Sequence, residues 1–211
     1  MRLPRIPPMI TDIVQTAICA FDGAEFTRLA ECPSCGGQVQ GYDIRQKKFA
    51  VLQEADHEHT IAVRVKRFTC RSCGRLCYAD EPFYPDTRLG SLIIDLYATF
   101  SSTIPKSRAA RVVDAMGIRV NRTTWRNYQD LLLAEIPTSD VFGIRLPLSV
   151  LSLSSLAART PDGCCIDGAE ALAACGFPSA YRAVCSPAFP GEERGDRDEQ
   201  EPDEEQQYSH P

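Results

Sequence analysis

Cys32-Pro33-Ser34-Cys35-Gly36-Gly37 and Cys70-Arg71-Ser72-Cys73-Gly74 are the stretches that decide how this chain is read. Each sets two thiols across a tight turn, and the glycine that follows can take the positive φ the reversal needs. The knuckles are separated by the 34 residues from Gly36 to Thr69. Two knuckles, each with a trailing glycine, indicate one four-thiolate metal site with Cys32, Cys35, Cys70 and Cys73 as ligands. A closed tetrahedral thiolate shell suits zinc and leaves no open position for chemistry, so the site is expected to hold structure. Iron is the rival ion. Four buried thiols packing as small hydrophobes fit poorly, because Pro33-Ser34 and Arg71-Ser72 make both knuckles polar.

The rest of the composition agrees with an intracellular metalloprotein. Ten cysteines without a secretory leader pattern point to a reducing compartment, so a cytoplasmic location is expected. The longest apolar stretch, Leu146 to Ala158, is interrupted by serines and Pro147, which excludes a membrane-spanning helix of about 20 apolar residues. Charge is divided unevenly. Arg45 to Arg126 holds 15 Lys/Arg against 8 Asp/Glu, whereas Leu146 to Pro211 holds 4 against 12. The end of the chain from Gly191 lacks aliphatic residues and reads as a disordered acidic tail.

Between the knuckles the pattern is that of strands. Val39 to Ile44 and Lys47 to Leu52 have strand composition, and Thr60 to Thr69 alternates Ile61, Val63, Val65 and Phe68 with the cations Arg64, Lys66 and Arg67. Antiparallel strands pinned at one end by metal make a zinc ribbon, since so few strands cannot hold a core unaided. Cys77, four residues after Cys73, could replace a ligand or cap the site, but it is expected as a plain thiol on the strand Leu76 to Tyr78, the ligand set being complete without it. His57 and His59 are expected in an exposed acidic turn. Upstream, Ile10 to Phe26 is a candidate helix with Thr11 or Asp12 as N-cap.

Downstream, Glu81-Pro82-Phe83-Tyr84-Pro85 reads as an extended connector. Leu89, Leu92, Ile93, Leu96, Tyr97 and Phe100 then form a helical stripe. A second helix is expected over Ser107 to Met116, capped by Ser107 and stopped by Gly117, with Ile118 plugging the core. A third starts after Asn121 and runs to about Glu135, burying Trp125, Tyr128, Leu132 and Leu133. Arg122, Thr123, Arg126, Asn127 and Gln129 then remain to project, with Thr124 counted among the DNA-binding residues. Arginine can bridge guanine O6 and N7 and asparagine adenine N6 and N7, so this is the side-chain set of a major-groove recognition helix. The alternative, a solvated face of a helical bundle, explains each residue singly. It does not explain why a basic ribbon strand, a second helix with Lys106, Arg108 and Arg111, and this third helix follow one another.

The order CPSCGG, basic strand, RFTCRSCG, EPFYP and SRAARVVDAMGIRVNRTTWRNY resembles the N-terminal DNA-binding region of insertion-sequence transposases. The resemblance covers Cys32 to Tyr128 and lies in motif order. It implies a zinc ribbon followed by a helix-turn-helix, with Cys32, Cys35, Cys70 and Cys73 on zinc and the helix from Asn121 to Gln129 reading a terminal DNA sequence. It does not extend to a catalytic domain. The residues after Glu135 are too few to supply one, and Asp140, Asp162, Asp167 and Glu170 read as surface or capping groups, Asp167 for example capping a helix at Gly168 to Cys175.

The expectation is therefore an α+β chain: residues 1–31 a helical lead, 32–80 a zinc ribbon, 86–136 a helix-turn-helix bundle, 137–190 a short helical region and 191–211 the acidic tail. Its expected function is zinc-dependent binding of double-stranded DNA without catalysis. Phosphates would be met by Arg64, Lys66, Arg67, Lys106, Arg108 and Arg111, and base edges by the third helix. The alternative is a zinc-ribbon protein–protein adaptor, or a transcription regulator not related to transposition, with a protein partner or another copy of the chain as further possible partners. A second metal on Cys164, Cys165, Cys175 and Cys185 is not expected, because those cysteines lack knuckle spacing.

Overall fold

The computed structural model describes residues 6–54, 57–128, 135–161 and 164–176. The third expected helix ends at Asn127 with Tyr128 as its C-cap, and Gln129, Leu132, Leu133, Asp162, Cys185 and the acidic tail lie outside the described residues. The chain is α+β. In order it forms α1 (Pro8–Cys19), β1 (Glu25–Phe26), β2 (Val39–Glu54), β3 (His57–Cys70), β4 (Leu76–Tyr78), α2 (Ser91–Ser101), α3 (Lys106–Ala115), α4 (Arg122–Asn127), β5 (Thr138–Val141), β6 (Ile144–Pro147), α5 (Leu148–Arg159) and α6 (Gly168–Ala174). Among the described residues no helix is long and apolar enough to cross a membrane.

The centre of the sheet is β3. It pairs antiparallel with β2 from Val39–Cys70 at one end to Glu54–His57 at the other. Its second edge is shared: β1 lies parallel at Arg64 and Val65, and β4 antiparallel at Arg67 to Thr69. The alternation read in the sequence holds, with Ile61, Val63 and Val65 fully buried. Where two strands were expected over Val39 to Leu52 there is one. Register shifts between Gly41 and Ile44 and between Lys48 and Ala50 let a single strand absorb the break in its pattern. His57 and His59 are on β3 rather than in a loop, because β2 and β3 pair out to their tips; His59 Nε2 lies 3.4 Å from Asp22 Oδ2.

α1 begins at Pro8, with Pro7 in the cap position and a proline in the first turn, so Thr11 and Asp12 fall inside the helix instead of capping it. Phe26 belongs to β1, and Phe21 stacks on Phe49 at 4.2 Å, tying the end of α1 to β2. α1 packs on α5, the helix made by Leu148 to Arg159, and α5 on α6. Asp167 caps α6 as expected, its Oδ1 accepting from the amides of Ala169 and Glu170 at 2.9 and 3.3 Å. The β5–β6 hairpin was not anticipated.

The apolar stripe of α2 is buried as read, but Ser91, Ile94, Asp95 and Thr99 are buried too, so α2 is enclosed on nearly every side by α3, β6 and the connector. α3 starts at Lys106, and the cap is Pro105, whose carbonyl takes the amides of Arg108 and Ala109, rather than Ser107. Gly117 turns the chain at φ 81° and Ile118 is buried beyond it. Asn121 caps α4 by accepting from the Thr123 amide, and Trp125 stacks on Tyr97 of α2 at 4.2 Å. The α3–α4 turn is bonded to the edge of β2: Gln53 donates to the Gly117 carbonyl at 2.7 Å and Arg119 to that of Val51 at 2.9 Å.

Among the described residues Asp95 is the one carboxylate buried in this core. Burial raises its carboxyl from an ordinary 3.8 to about 7, although the Tyr84 hydroxyl, donating at 2.5 Å, favours the ionised form. Ser91 and Thr99, one turn to either side, carry buried hydroxyls without partners. The folded state therefore holds a proton that the unfolded chain releases, and stability falls as pH rises from about 4 to about 7, by up to roughly 4 kcal/mol. Asp95→Asn is expected to flatten that slope in urea unfolding at pH 5 and pH 8. An unchanged slope would show that Asp95 is not the group being titrated.

Candidate metal centre and basic cleft

The Val39–Cys70 pair brings the two knuckles together. In each, the glycine amide returns to the first cysteine: Gly36 donates to the Cys32 carbonyl at 2.9 Å and Gly74 to that of Cys70 at 3.0 Å, with φ of 67° and 70° at the two glycines. Gly37 answers a different constraint. A Cβ there would lie 2.4 Å from Ser72 Oγ and 3.2 Å from Cys70 Sγ, so the knuckles approach as closely as they do only because that position is bare.

The result is a group of four sulfurs, from Cys32, Cys35, Cys70 and Cys73, all within 4.8 Å of one another. Cys32 and Cys73 stand 3.7 Å apart and Cys35 and Cys70 3.5 Å. A single ion with metal–sulfur bonds near 2.3 Å sets tetrahedral edges of about 3.8 Å, so these residues fit one metal ion. Electrostatics point the same way. The Ser34 amide foremost, helped by that of Cys35, draws the Cys32 thiol down to about 6, and the Cys73 and Ser72 amides lower Cys70. The Gly37 amide favours a Cys35 thiolate, but the neighbouring sulfurs of Cys70, Cys73 and Cys32, with desolvation, push it up to about 12. Four thiolates at this spacing require a cation to offset their repulsion.

Cys77, on β4, is a thiol beside this group and not within it. It is buried, 3.7 Å from Cys32 Sγ, and burial together with the Cys32 sulfur raises it to about 11. The raised thiol favours its protonated form beside Cys32, so Cys77 sits where its place four residues after Cys73 let it cap the sulfur group. Among the described residues no other set of His, Cys, Asp and Glu gathers in this way. Cys164 and Cys165 instead face Cys19 across a cleft between α1 and the loop before α6, and Cys175 is buried near Asp95.

The cations expected on DNA divide into two groups. Those of β3 are engaged within the protein: Arg64 pairs with Glu25, Arg67 with Asp43, and Lys66 lies over the Phe68 ring at 5.4 Å. The Asp43 pair raises the Arg67 guanidinium further and holds the Asp43 carboxyl below its usual range. Those of the helices gather. Lys106 and Arg111 of α3 and Arg122 and Arg126 of α4 line one cleft of about 540 Å³, floored by Tyr97 and Trp125. Asp114, the one carboxylate there, is held at 2.7 Å by Arg119, a residue the sequence did not single out. Arg111, Arg122 and Arg126 make no ion pair or hydrogen bond among the described residues. Arg108 is half-buried and does not line the cleft, and the Thr123 hydroxyl is bonded to Asn121 at 2.7 Å. Thr124 and Asn127 face a second cleft of about 670 Å³, bordered by β2 and the connector, with Lys48, Arg88 and Arg119.

Two outcomes are expected. Cys32→Ser or Cys70→Ser abolishes binding of one cobalt(II) per chain, whereas Cys77→Ser keeps a four-thiolate cobalt spectrum; loss of binding in the Cys77 variant would make that residue a ligand. Chelation exposes the amides of Gly36, Cys70 and Gly74 to hydrogen exchange while those of Gln53 and Arg119, at the far end of the hairpin, stay protected. Uniform exchange along the hairpin would contradict local control by the metal.

Comparison with known proteins finds no matching family model, no matching curated protein and no matching solved structure.

Proposed function

We propose that the chain is a zinc-bound, double-stranded-DNA-binding protein, with β2, β3, β4 and the two knuckles acting as a zinc ribbon and α3–α4 as a helix-turn-helix. The observation that carries this reading is the cleft in which Arg111, Arg122 and Arg126 stand together with no carboxylate partner among the described residues. Clustered guanidinium groups repel one another, and a polyanion is the ligand that relieves the repulsion. Zinc is favoured for the sulfur group because four thiolates at these separations match its shell, with thiols kept reduced in a cytoplasmic setting. The resemblance to transposase DNA-binding regions agrees in motif order, and a closed thiolate shell supports binding rather than catalysis.

In this reading Lys106 and Arg111 meet phosphates and set the register, while Arg122 and Arg126, one turn apart on α4, reach base edges in the major groove. Thr124 and Asn127 face the other side of α4 and serve a neighbouring strand. Thr123 is occupied with capping. Arg64, Lys66 and Arg67 add to the general field, their side chains being engaged with Glu25, Phe68 and Asp43. A second reading, a protein adaptor, draws on one observation: Tyr42, Ile44, Leu76 and Tyr78 are exposed on the strands flanking β3 near the sulfur group.

The test is fluorescence anisotropy with zinc-loaded protein on random duplex DNA across a salt series. Arg122→Ala and Arg126→Ala are each expected to weaken binding about tenfold and to make it less salt-dependent, with unchanged unfolding curves. Arg67→Ala is expected to lower stability and to leave affinity within about twofold. Absence of binding at low salt by folded, zinc-loaded protein, with capture of a partner lost on Tyr78→Ala, would favour the adaptor.

A further inference from the structure

We propose that the arginine cleft between α3 and α4 is also the docking site of the chain's own acidic segment, residues 192–205, which competes there with DNA. The proposal rests on the reading of that cleft as a polyanion surface. Its occupant follows from charge and from what the segment lacks. Residues 192–205 hold nine Asp and Glu against Arg194 and Arg197, and no aliphatic or aromatic side chain. Such a segment has nothing to place in an apolar groove; only a cationic surface can hold it. The chain's net charge is -5 and the segment contributes -7, so the remainder is a weakly cationic body carrying a strongly anionic arm.

Among the other cations of that body, Lys48 and Arg88 share the second cleft with Asp86. Arg64, Arg67 and Arg119 already have carboxylate partners in Glu25, Asp43 and Asp114, and Lys47 is held between Glu81 at 2.7 Å and the Phe83 ring. Arg111, Arg122 and Arg126 have none among the described residues and converge on one cleft. Reach does not limit the contact. Fifteen residues separate Gly176, the last described position, from Glu192, a span of up to about 50 Å when extended, against a body about 35–40 Å across. A tethered anion is present at roughly millimolar effective concentration, so several weak pairs suffice to occupy the cleft at low salt. Each pair is exposed and screened, so salt releases the segment.

The experiment uses the full-length, zinc-loaded chain and a full-length variant whose nine carboxylates in 192–205 become Asn and Gln. Arginine reactivity toward phenylglyoxal is mapped by mass spectrometry at about 50 mM and 500 mM salt, below and above strong screening. At low salt Arg111, Arg122 and Arg126 are expected to react several-fold more slowly in the native chain than in the variant, and equally at high salt. Arg71 and Arg75, at the metal end, should react alike throughout. Equal reactivity at the three cleft arginines, or uniform slowing of every arginine, overturns the proposal. So does protection that grows with protein concentration, which would place the segment of one copy on another.

The same two proteins are compared on random duplex DNA. The neutralised variant should bind about tenfold more tightly at low salt, and the gain should vanish when Arg122→Ala and Arg126→Ala are added. Selective protection without DNA binding by either protein upholds the docking and removes the DNA reading. DNA binding with no protection removes the docking and leaves the DNA reading standing.

Discussion

The pairing of β2 with β3 is the constraint on which the rest of the structure depends. At one end, the Val39–Cys70 partnership sets one cysteine knuckle against the other; at the opposite end, the edge of β2 bonds to the turn between α3 and α4. A ladder of this length holds because one face of β3 is continuously apolar and fully buried, from Ile61 through Val65. Slippage by one residue would turn that face to solvent and separate the sulfurs at once. Register, sulfur geometry and helix placement are thus one condition.

Electrostatics divides the surface along the same line. On the sheet, cations are neutralised by nearby anions, Arg67 by Asp43 across strands and Lys47 by Glu81 of the connector, the second pair partly buried and roofed by aromatic rings. On the helices, Arg111, Arg122 and Arg126 converge, while Asp114, the one carboxylate among the described residues of that cleft, is drawn off by Arg119. A fold that pairs its charges on the sheet and leaves Arg111, Arg122 and Arg126 without an ion pair among the described residues marks their cleft as the place where an external anion has most to contribute.

Much of this was legible in the residues. The knuckles with their trailing glycines gave the sulfur group, because C-x-x-C-G dictates a local turn and needs nothing distant to form. The alternation of Thr60 to Thr69 and the stop at Gly117 were equally local. What could not be read was whatever depends on contacts remote in sequence. The bulges that merge two strand segments into β2 exist to keep register with β3, and Pro105 displaces Ser107 as a cap because its own carbonyl is already placed to receive α3. The enclosure of α2 was partly signalled by Asp95 standing inside an apolar run. Its proton, however, follows from the packing of α2 against the connector and β6. The pairing of Arg67 with Asp43 lay in neither residue's pattern, since it spans two strands.

A hairpin whose two ends carry different duties can change length only in particular steps. Adding one residue to each of β2 and β3 shifts every later side chain to the opposite face, whereas adding two to each preserves facing and carries the cysteine end roughly 6–7 Å farther from the helices. A single-residue insertion survives only if it is taken up as a bulge, and β2 already contains two such irregularities, at Gly41–Ile44 and Lys48–Ala50. Those are the points at which this architecture can accept insertions and deletions, and descendants of the chain are free to vary the reach of the sulfur end there while the arginine cleft stays where it is.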